Sequence, residues 1–371
     1  MTSTENIYDL AVNGVRKLVP YVAGKPIEEL ERELGLSNII KLASNENPLG
    51  PGKKALAAIQ ATLPKLTLYP DGNGFNLKSA LAKKYQLNSD QITLGNGSNE
   101  LLELVARAFL APGLEAMFSE HAFAVYPIVT QAVGATAVIV PTLHYGNDLE
   151  AMAARITDRT RVIFIANPNN PTGTLLKQID LQKFISALPK HCICVLDEAY
   201  FEFVLNKEGI NSLDWLKTNP NLIITRTFSK AYGLAGLRVG YSLASPEIAD
   251  ILNRVRQPFN NNALALAAAE AALADEEYLQ ETISVNALGM SDLTDGFKAL
   301  GLEWIPSAGN FVSVDLKRPG QPVYKALLRK GVIVRPVANY GLPNHLRISI
   351  GTPAENQFFL KALAETLTNV Q

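Results

Sequence analysis

The chain has 371 residues, of which 47% are hydrophobic and 19% charged, with 34 Lys and Arg against 35 Asp and Glu. At about 150 residues per domain, this length supports two domains or one large one. Ordinary globular composition excludes a disordered or collagen-like chain, and a net charge of −1 excludes the cationic footprint of a nucleic-acid binder.

Two cysteines, Cys192 and Cys194, are too few for a disulfide framework or a four-thiolate zinc site. One residue apart in an apolar run, they would share one face of a strand and read as core. The first residues lack the basic start and apolar core of a signal peptide. The longest stretch without a formal charge, Ala122 to Asn147, is broken by Pro127, Gly134 and Pro141, so it does not read as a membrane span. These features predict a cytoplasmic protein.

In chain order, Ile7 to Asn47 is expected to pack with the C-terminal part. Asn99 to Phe109 has apolar residues at helical spacing, after a turn and cap at Asn96-Gly97-Ser98. Thr136 to Val140 and Arg161 to Ala166 read as strands, Leu181 to Ala187 as helix, and Cys192 to Leu196 as a buried strand ending at Asp197. Leu222 to Thr227 and Arg238 to Leu243 are further strands. This alternation predicts an α/β fold with a mostly parallel central sheet flanked by helices, whose ligands sit at the carboxyl ends of the strands. From Pro258 the pattern changes: a helix at Ala263 to Ala274, strands at Asn310 to Asp315, Gly331 to Val334 and Leu346 to Ile350, and a last helix at Glu355 to Thr368. The expected division is an N-terminal arm with part of a small domain (1–47), a large domain (48–257) and a small α+β C-terminal domain (258–371).

Four motifs carry chemistry. Thr227-Phe228-Ser229-Lys230 continues to Arg238 through a glycine-rich run. A lysine just after a buried strand is desolvated, which lowers its pKa, and a neutral amine forms Schiff bases with aldehydes. Thr227, Ser229 and Arg238 offer two hydroxyls and a cationic fork suited to phosphate. In Asp197-Glu198-Ala199-Tyr200, a strand-end carboxylate needs a cation if it is buried; a solvent-facing acid would read the same way. Asn167-Pro168-Asn169-Asn170-Pro171-Thr172-Gly173 is a rigid loop that carries an asparagine to a strand end or simply connects two elements. Gly97, Ser98 and Asn99 open a helix whose free N–H groups suit an anion. His121 and His345 have no partner pattern for catalysis and read as structural, and no His/Cys metal spacing stands out.

The order and spacing of these motifs resemble the pyridoxal 5′-phosphate (PLP) enzymes of the aspartate aminotransferase fold, fold type I, over nearly the whole chain. Leu18-Val19-Pro20-Tyr21, Leu42 to Pro48, Tyr69-Pro70-Asp71-Gly72 and the run from Ser229 to Gly236 look most like the histidinol-phosphate aminotransferases. The resemblance implies a PLP-binding large domain and transamination between L-histidinol phosphate and 2-oxoglutarate, a step of histidine biosynthesis. It makes Lys230 the catalytic amine that holds PLP and moves the proton. Asp197 would pair with the ring nitrogen, Tyr200 and Asn167 with the ring oxygen, and Phe123 would stack on the ring. Gly97, Ser98, Asn99, Thr227, Ser229 and Arg238 would hold the cofactor phosphate. Tyr69 would reach the cofactor of a second subunit, implying a homodimer. Arg335, Arg347 and Tyr21 would grip the substrate phosphate or the carboxylate of glutamate, with Asn45 and Asn47 lining that side. Two other activities stay open on sequence: an aminotransferase of phenylalanine or tyrosine, and a PLP-dependent decarboxylase of a phosphorylated amino acid.

Overall fold

A computed structural model describes residues 6–204 and 211–369. A short strand near the N-terminus, Ile40–Lys41 (β1), is followed by Ile92–Gly95 (β2), Glu115–Ser119 (β3), Thr136–Val140 (β4), Thr160–Ala166 (β5), Ile193–Asp197 (β6), Leu222–Thr227 (β7) and Gly240–Leu243 (β8). Strands β2 to β8 form one sheet in the order β2-β8-β7-β6-β5-β3-β4, in which only β8 runs against its neighbours. The strands alternate their side chains between two helical layers. Ile163, Ile165, Cys194 and Leu196 face a core shared with Ala55, Leu77 and Ala268, whereas Val162, Phe164, Ile193 and Val195 face one shared with Leu101, Val105 and Leu252. Both faces are therefore dry, and each large apolar side chain moved out of water contributes about 1.5–3 kcal/mol. Cys192 and Cys194 lie on the same face, as their spacing predicts.

The C-terminal part adds Glu303–Ile305 (β9), Phe311–Asp315 (β10), Val332–Ile333 (β11), Arg335–Pro336 (β12) and His345–Ser349 (β13). Four of these make an antiparallel sheet, β12-β13-β10-β9, and β11 pairs in parallel with β1. That last pairing ties the N-terminal segment to the C-terminal part, so the smaller α+β unit draws on both ends of the chain. The division expected at Pro258 falls before helix Ala263–Leu273, whose buried Ala265, Ala268 and Ala272 share the core of the large sheet. The long helix Glu276–Ala299 follows it and buries Leu293 and Phe297 against the small sheet.

Candidate active site

The cleft opens where the carboxyl ends of β5, β6 and β7 lie side by side, with Ala166 opposite Asp197 and Asp197 opposite Thr225. Parallel strands end with their loops on one edge, so Pro168 to Asn170, Asp197 to Tyr200 and Thr227 to Lys230 meet there. The small sheet supplies the facing wall through Arg335 on β12 and Arg347 on β13.

Lys230 sends its Nζ to the carbonyl oxygen of Ser44 at 3.0 Å. Burial, with Arg347 and Arg238 nearby, lowers its pKa to about 8. Asp197 is buried at the end of β6, and burial pushes its carboxyl up. Two hydroxyls oppose this: Tyr126 donates to Oδ2 at 2.8 Å and Thr225 to Oδ1 at 3.2 Å. Among the described residues Asp197 makes no ion pair. Tyr200 accepts a hydrogen bond from Asn45 Nδ2 at 2.9 Å, and burial raises its hydroxyl to about 12, so it stays a phenol at neutral pH.

The phosphate side is built from two loops. Gly97 caps helix Ser98–Phe109 with φ of 76° and no side-chain cap, leaving first-turn N–H groups uncovered. A Cβ at Gly97 would collide with the Arg238 guanidinium, so only glycine permits this approach. Arg238 itself holds φ of 58° and donates to Ser229 Oγ at 3.3 Å and to the Ala235 carbonyl at 3.1 Å. Ser98, Asn99, Thr227 and Ser229 line the cleft beside it. Phe123 also lines it, with its ring edge-on to Tyr126 at 5.9 Å.

On the opposite wall Arg347 is buried, with Nη1 on Asn170 Oδ1 at 2.5 Å and Nη2 on the Ala43 carbonyl at 2.9 Å. Its Nε has no partner. Arg335 donates to the Val22 carbonyl at 2.7 Å and lies over the Tyr21 ring at 5.7 Å. Among the described residues neither guanidinium has a carboxylate, and a buried guanidinium without one calls for an anionic ligand.

Two expected cleft residues are placed elsewhere. Asn167 does not face the cleft: its Oδ1 accepts from Leu176 N–H at 2.9 Å and closes the loop internally. Asn170, three residues on, is the asparagine that lines the cleft. Asn47 does not line it either, because its Nδ2 is engaged by the Ala231 carbonyl, Tyr278 and Thr282. Tyr69 is 82% exposed and stacks on Phe259, outside this chain's own cleft. His121 sits against the Tyr340 carbonyl at 2.6 Å, in keeping with a structural role. Tyr126 and Asn170 escaped the sequence analysis. The signals for them were a tyrosine three residues after Phe123, and a choice among three asparagines in one loop.

The residues fit PLP on this chain's own evidence. A buried carboxylate without a cation, an amine of lowered pKa and an uncapped helix start with an adjacent arginine match its ring nitrogen, aldehyde and phosphate. The sequence matches the aminotransferase class I and II family over residues 37–363, and the chain belongs to that family. It is 62% identical over 360 residues to histidinol-phosphate aminotransferase 2 of Pseudomonas fluorescens, covering 96% of this chain and 97% of that one. It is 60% identical over 362 residues to histidinol-phosphate aminotransferase 2 of Pseudomonas aeruginosa, covering 97% and 98%. The crystal structure of histidinol-phosphate aminotransferase from Sinorhizobium meliloti in complex with pyridoxal-5′-phosphate superposes with a TM-score of 0.90 at 30% identity, covering 96% of this chain and 97% of that one. Among the described residues no helix is long and apolar enough to cross a membrane, and no group of His, Cys, Asp or Glu could hold a metal ion.

Proposed function

We propose that this chain transfers the amino group of L-histidinol phosphate to 2-oxoglutarate, giving imidazole-acetol phosphate and L-glutamate, as a PLP-dependent aminotransferase of histidine biosynthesis in the cytoplasm. The observation that carries the reading is the pair Arg335 and Arg347, converging with Tyr21 on the cleft opposite Asp197 and free of carboxylate partners among the described residues. Two guanidinium groups suit a phosphate dianion, and the same groups suit a carboxylate of glutamate in the second half-reaction. Relatives named for this activity match nearly the whole chain.

When bound, PLP supplies an aldehyde and an electron-withdrawing ring. With its pKa near 8, Lys230 is neutral in about a tenth of molecules one pH unit lower, enough for an amine that binds an aldehyde and carries a proton between carbons. Asp197 would hold a protonated ring nitrogen, completing a carboxylate that has only hydroxyl donors. Tyr200 and Asn170 would hydrogen-bond the ring oxygen, Asn170 replacing Asn167 in that role, and Phe123 would cover the ring. Gly97, Ser98, Asn99, Thr227, Ser229 and Arg238 would hold the phosphate. The hydroxyls of Ser98, Thr227 and Ser229 contribute about 1 kcal/mol each and the charged Arg238 about 1.5–3 kcal/mol. Asn45 positions Tyr200 and lines the substrate side.

The protein acts as a homodimer in this reading. Tyr69, in a stretch of chain where Leu66, Leu68 and Phe75 are also exposed, would reach the cofactor phosphate of the second copy. An apolar stretch of this kind on the surface favours an interface.

The test is a single-turnover reaction of the PLP-loaded protein with histidinol phosphate or with phenylalanine, following formation of pyridoxamine phosphate. Histidinol phosphate should react about 10³-fold faster, because phenylalanine offers the two guanidinium groups only a singly charged carboxylate where histidinol phosphate offers a phosphate dianion. Equal rates would make this an aromatic aminotransferase instead. Arg335→Ala should raise KM for histidinol phosphate more than KM for phenylalanine.

A further inference from the structure

None of the residues from Arg256 to Asn262 lines the cleft, yet three of their side chains are fastened to the elements of its phosphate side. Asn261 is buried and donates its Nδ2 to the Gly95 carbonyl at 2.7 Å. Asn260 Nδ2 lies 2.6 Å from Glu100 Oε2 and 3.2 Å from the Leu94 carbonyl. The same Glu100 oxygen accepts from Asn96 N–H at 2.5 Å. Asn262 donates to the Leu237 carbonyl at 3.0 Å, one residue before Arg238, and its Oδ1 caps the next helix through Ala265 N–H at 2.8 Å. Arg256 steadies the segment from behind, with Nη1 on Asn260 Oδ1 at 2.6 Å and Nη2 on the Gly72 carbonyl at 2.8 Å. Phe259, at φ of 55°, stacks on Tyr69 at 4.8 Å.

The geometry these contacts fix is one that the two loops do not favour by themselves. Gly97 and Arg238 both lie at positive φ, which a side-chain-bearing residue such as Arg238 adopts only where its surroundings impose it. The first-turn N–H groups after Gly97 have no cap, so a loosened loop would turn them toward the nearest oxygen. Holding the carbonyls of Leu94, Gly95 and Leu237 removes that freedom on both sides of the anion.

We propose that Asn260, Asn261 and Asn262 form a positioning segment that keeps the two loops of the phosphate cradle open for a phosphorylated ligand. The inference rests on the reading of the cleft as a PLP site, and the experiment separates the two. Apoprotein is titrated with PLP, with pyridoxal, which has the aldehyde but no phosphate, and with inorganic phosphate. Wild type should bind PLP far more tightly than pyridoxal. Asn261→Ala should weaken PLP and inorganic phosphate about tenfold or more and leave pyridoxal within about twofold. Asn260→Ala, at a less buried position, carries the same test should the first variant fail to fold. Equal loss of PLP and pyridoxal means general loosening and overturns the proposal, as does no loss of either. A wild type that does not prefer PLP over pyridoxal refutes the cradle itself, and the positioning role falls with it.

Discussion

Replacing Tyr126 with phenylalanine removes one oxygen and tests how Asp197 is kept charged. The ring stays anchored, since Tyr126 stacks on Phe164 at 4.8 Å and meets Phe123 edge-on. The loss is one hydrogen bond of 2.8 Å to a carboxylate, leaving Thr225 at 3.2 Å as the remaining hydroxyl donor. A hydrogen bond to a charged group is worth about 1.5–3 kcal/mol, or about 10- to 150-fold in affinity. Tyr126 lowers the Asp197 pKa against the upward push of burial, so its removal raises that pKa further and reduces the anion available to a protonated ring nitrogen. The bond exists with and without ligand, so only the part that keeps Asp197 anionic reaches affinity. About tenfold weaker PLP binding is expected, with about 150-fold as the ceiling. The linkage has a definite sign. A carboxyl raised in the folded state gives stability at low pH that is lost as pH rises through its folded pKa, and Tyr126→Phe extends that loss to higher pH in the apoprotein. Equilibrium titration with PLP at pH 8, with thermal melts of the apoprotein from pH 5 to 9, reads both effects. Unchanged affinity in a variant with an unchanged melt profile would refute the argument.

Capture of pyridoxal by the apoprotein should accelerate as pH rises, with a midpoint near 8, because the neutral form of Lys230 is the reactive one; a midpoint above 10 would contradict its desolvation. Asn170→Ala should weaken PLP binding and raise KM for the amino donor, whereas Asn167→Ala should cost about 1 kcal/mol of stability at unchanged PLP affinity; the reverse pattern in titration and melting would restore the role to Asn167. Glu202 is buried with both oxygens unpartnered, and burial raises its pKa to about 7. Its contribution to stability is full below about pH 4.5 and is lost as pH climbs to about 7, a total of about 3 kcal/mol. Glu202→Gln should therefore raise the melting temperature at pH 8 far more than at pH 5, and an equal shift at both would exclude ionisation as the cause.

What was legible in the sequence was what local chain direction determines. Strands β5, β6 and β7 are short apolar runs, each followed by polar residues, so their ends and the side chains just beyond them could be named together. Strand β3 escaped because it begins with Glu115, whose buried carboxylate is held by Arg159 at 2.7 Å and by the hydroxyls of Thr157 and Thr160. That compensation comes from residues more than forty positions away. The helix Glu276–Ala299 escaped because polar residues surround its buried side chains. The site errors have a similar origin. Asn45 and Asn47, two apart, would share a face on extended chain. Asn45 instead takes φ of 54°, and the chain turns so that Asn45 meets Tyr200 while Asn47 meets Tyr278. No pattern of residue types announces that turn.

The treatment of buried charge separates structure from site. Away from the cleft, the buried charges of Arg226 and Glu198 are paired at 2.7 Å with both side chains inaccessible, and the buried Glu115 is paired with Arg159. Around the cleft the opposite holds. Asp197, Lys230, Arg238, Arg335 and Arg347 make no ion pairs among the described residues, although Asp197, Arg335 and Arg347 are buried. Removing a charge from water without a partner is costly, so these three, with the half-buried Lys230 and Arg238 making five charged groups in one cleft, mark interactions reserved for ligand. Four are cationic and one is anionic, in a chain whose net charge is only −1. The cations also divide by origin: Arg238, beside the helix start at Ser98, comes from the large sheet, while Arg335 and Arg347 come from the small one. Two anion subsites therefore flank Lys230, one from each sheet. A cofactor and a substrate that each carry a phosphate fill both, whereas phenylalanine offers only its carboxylate.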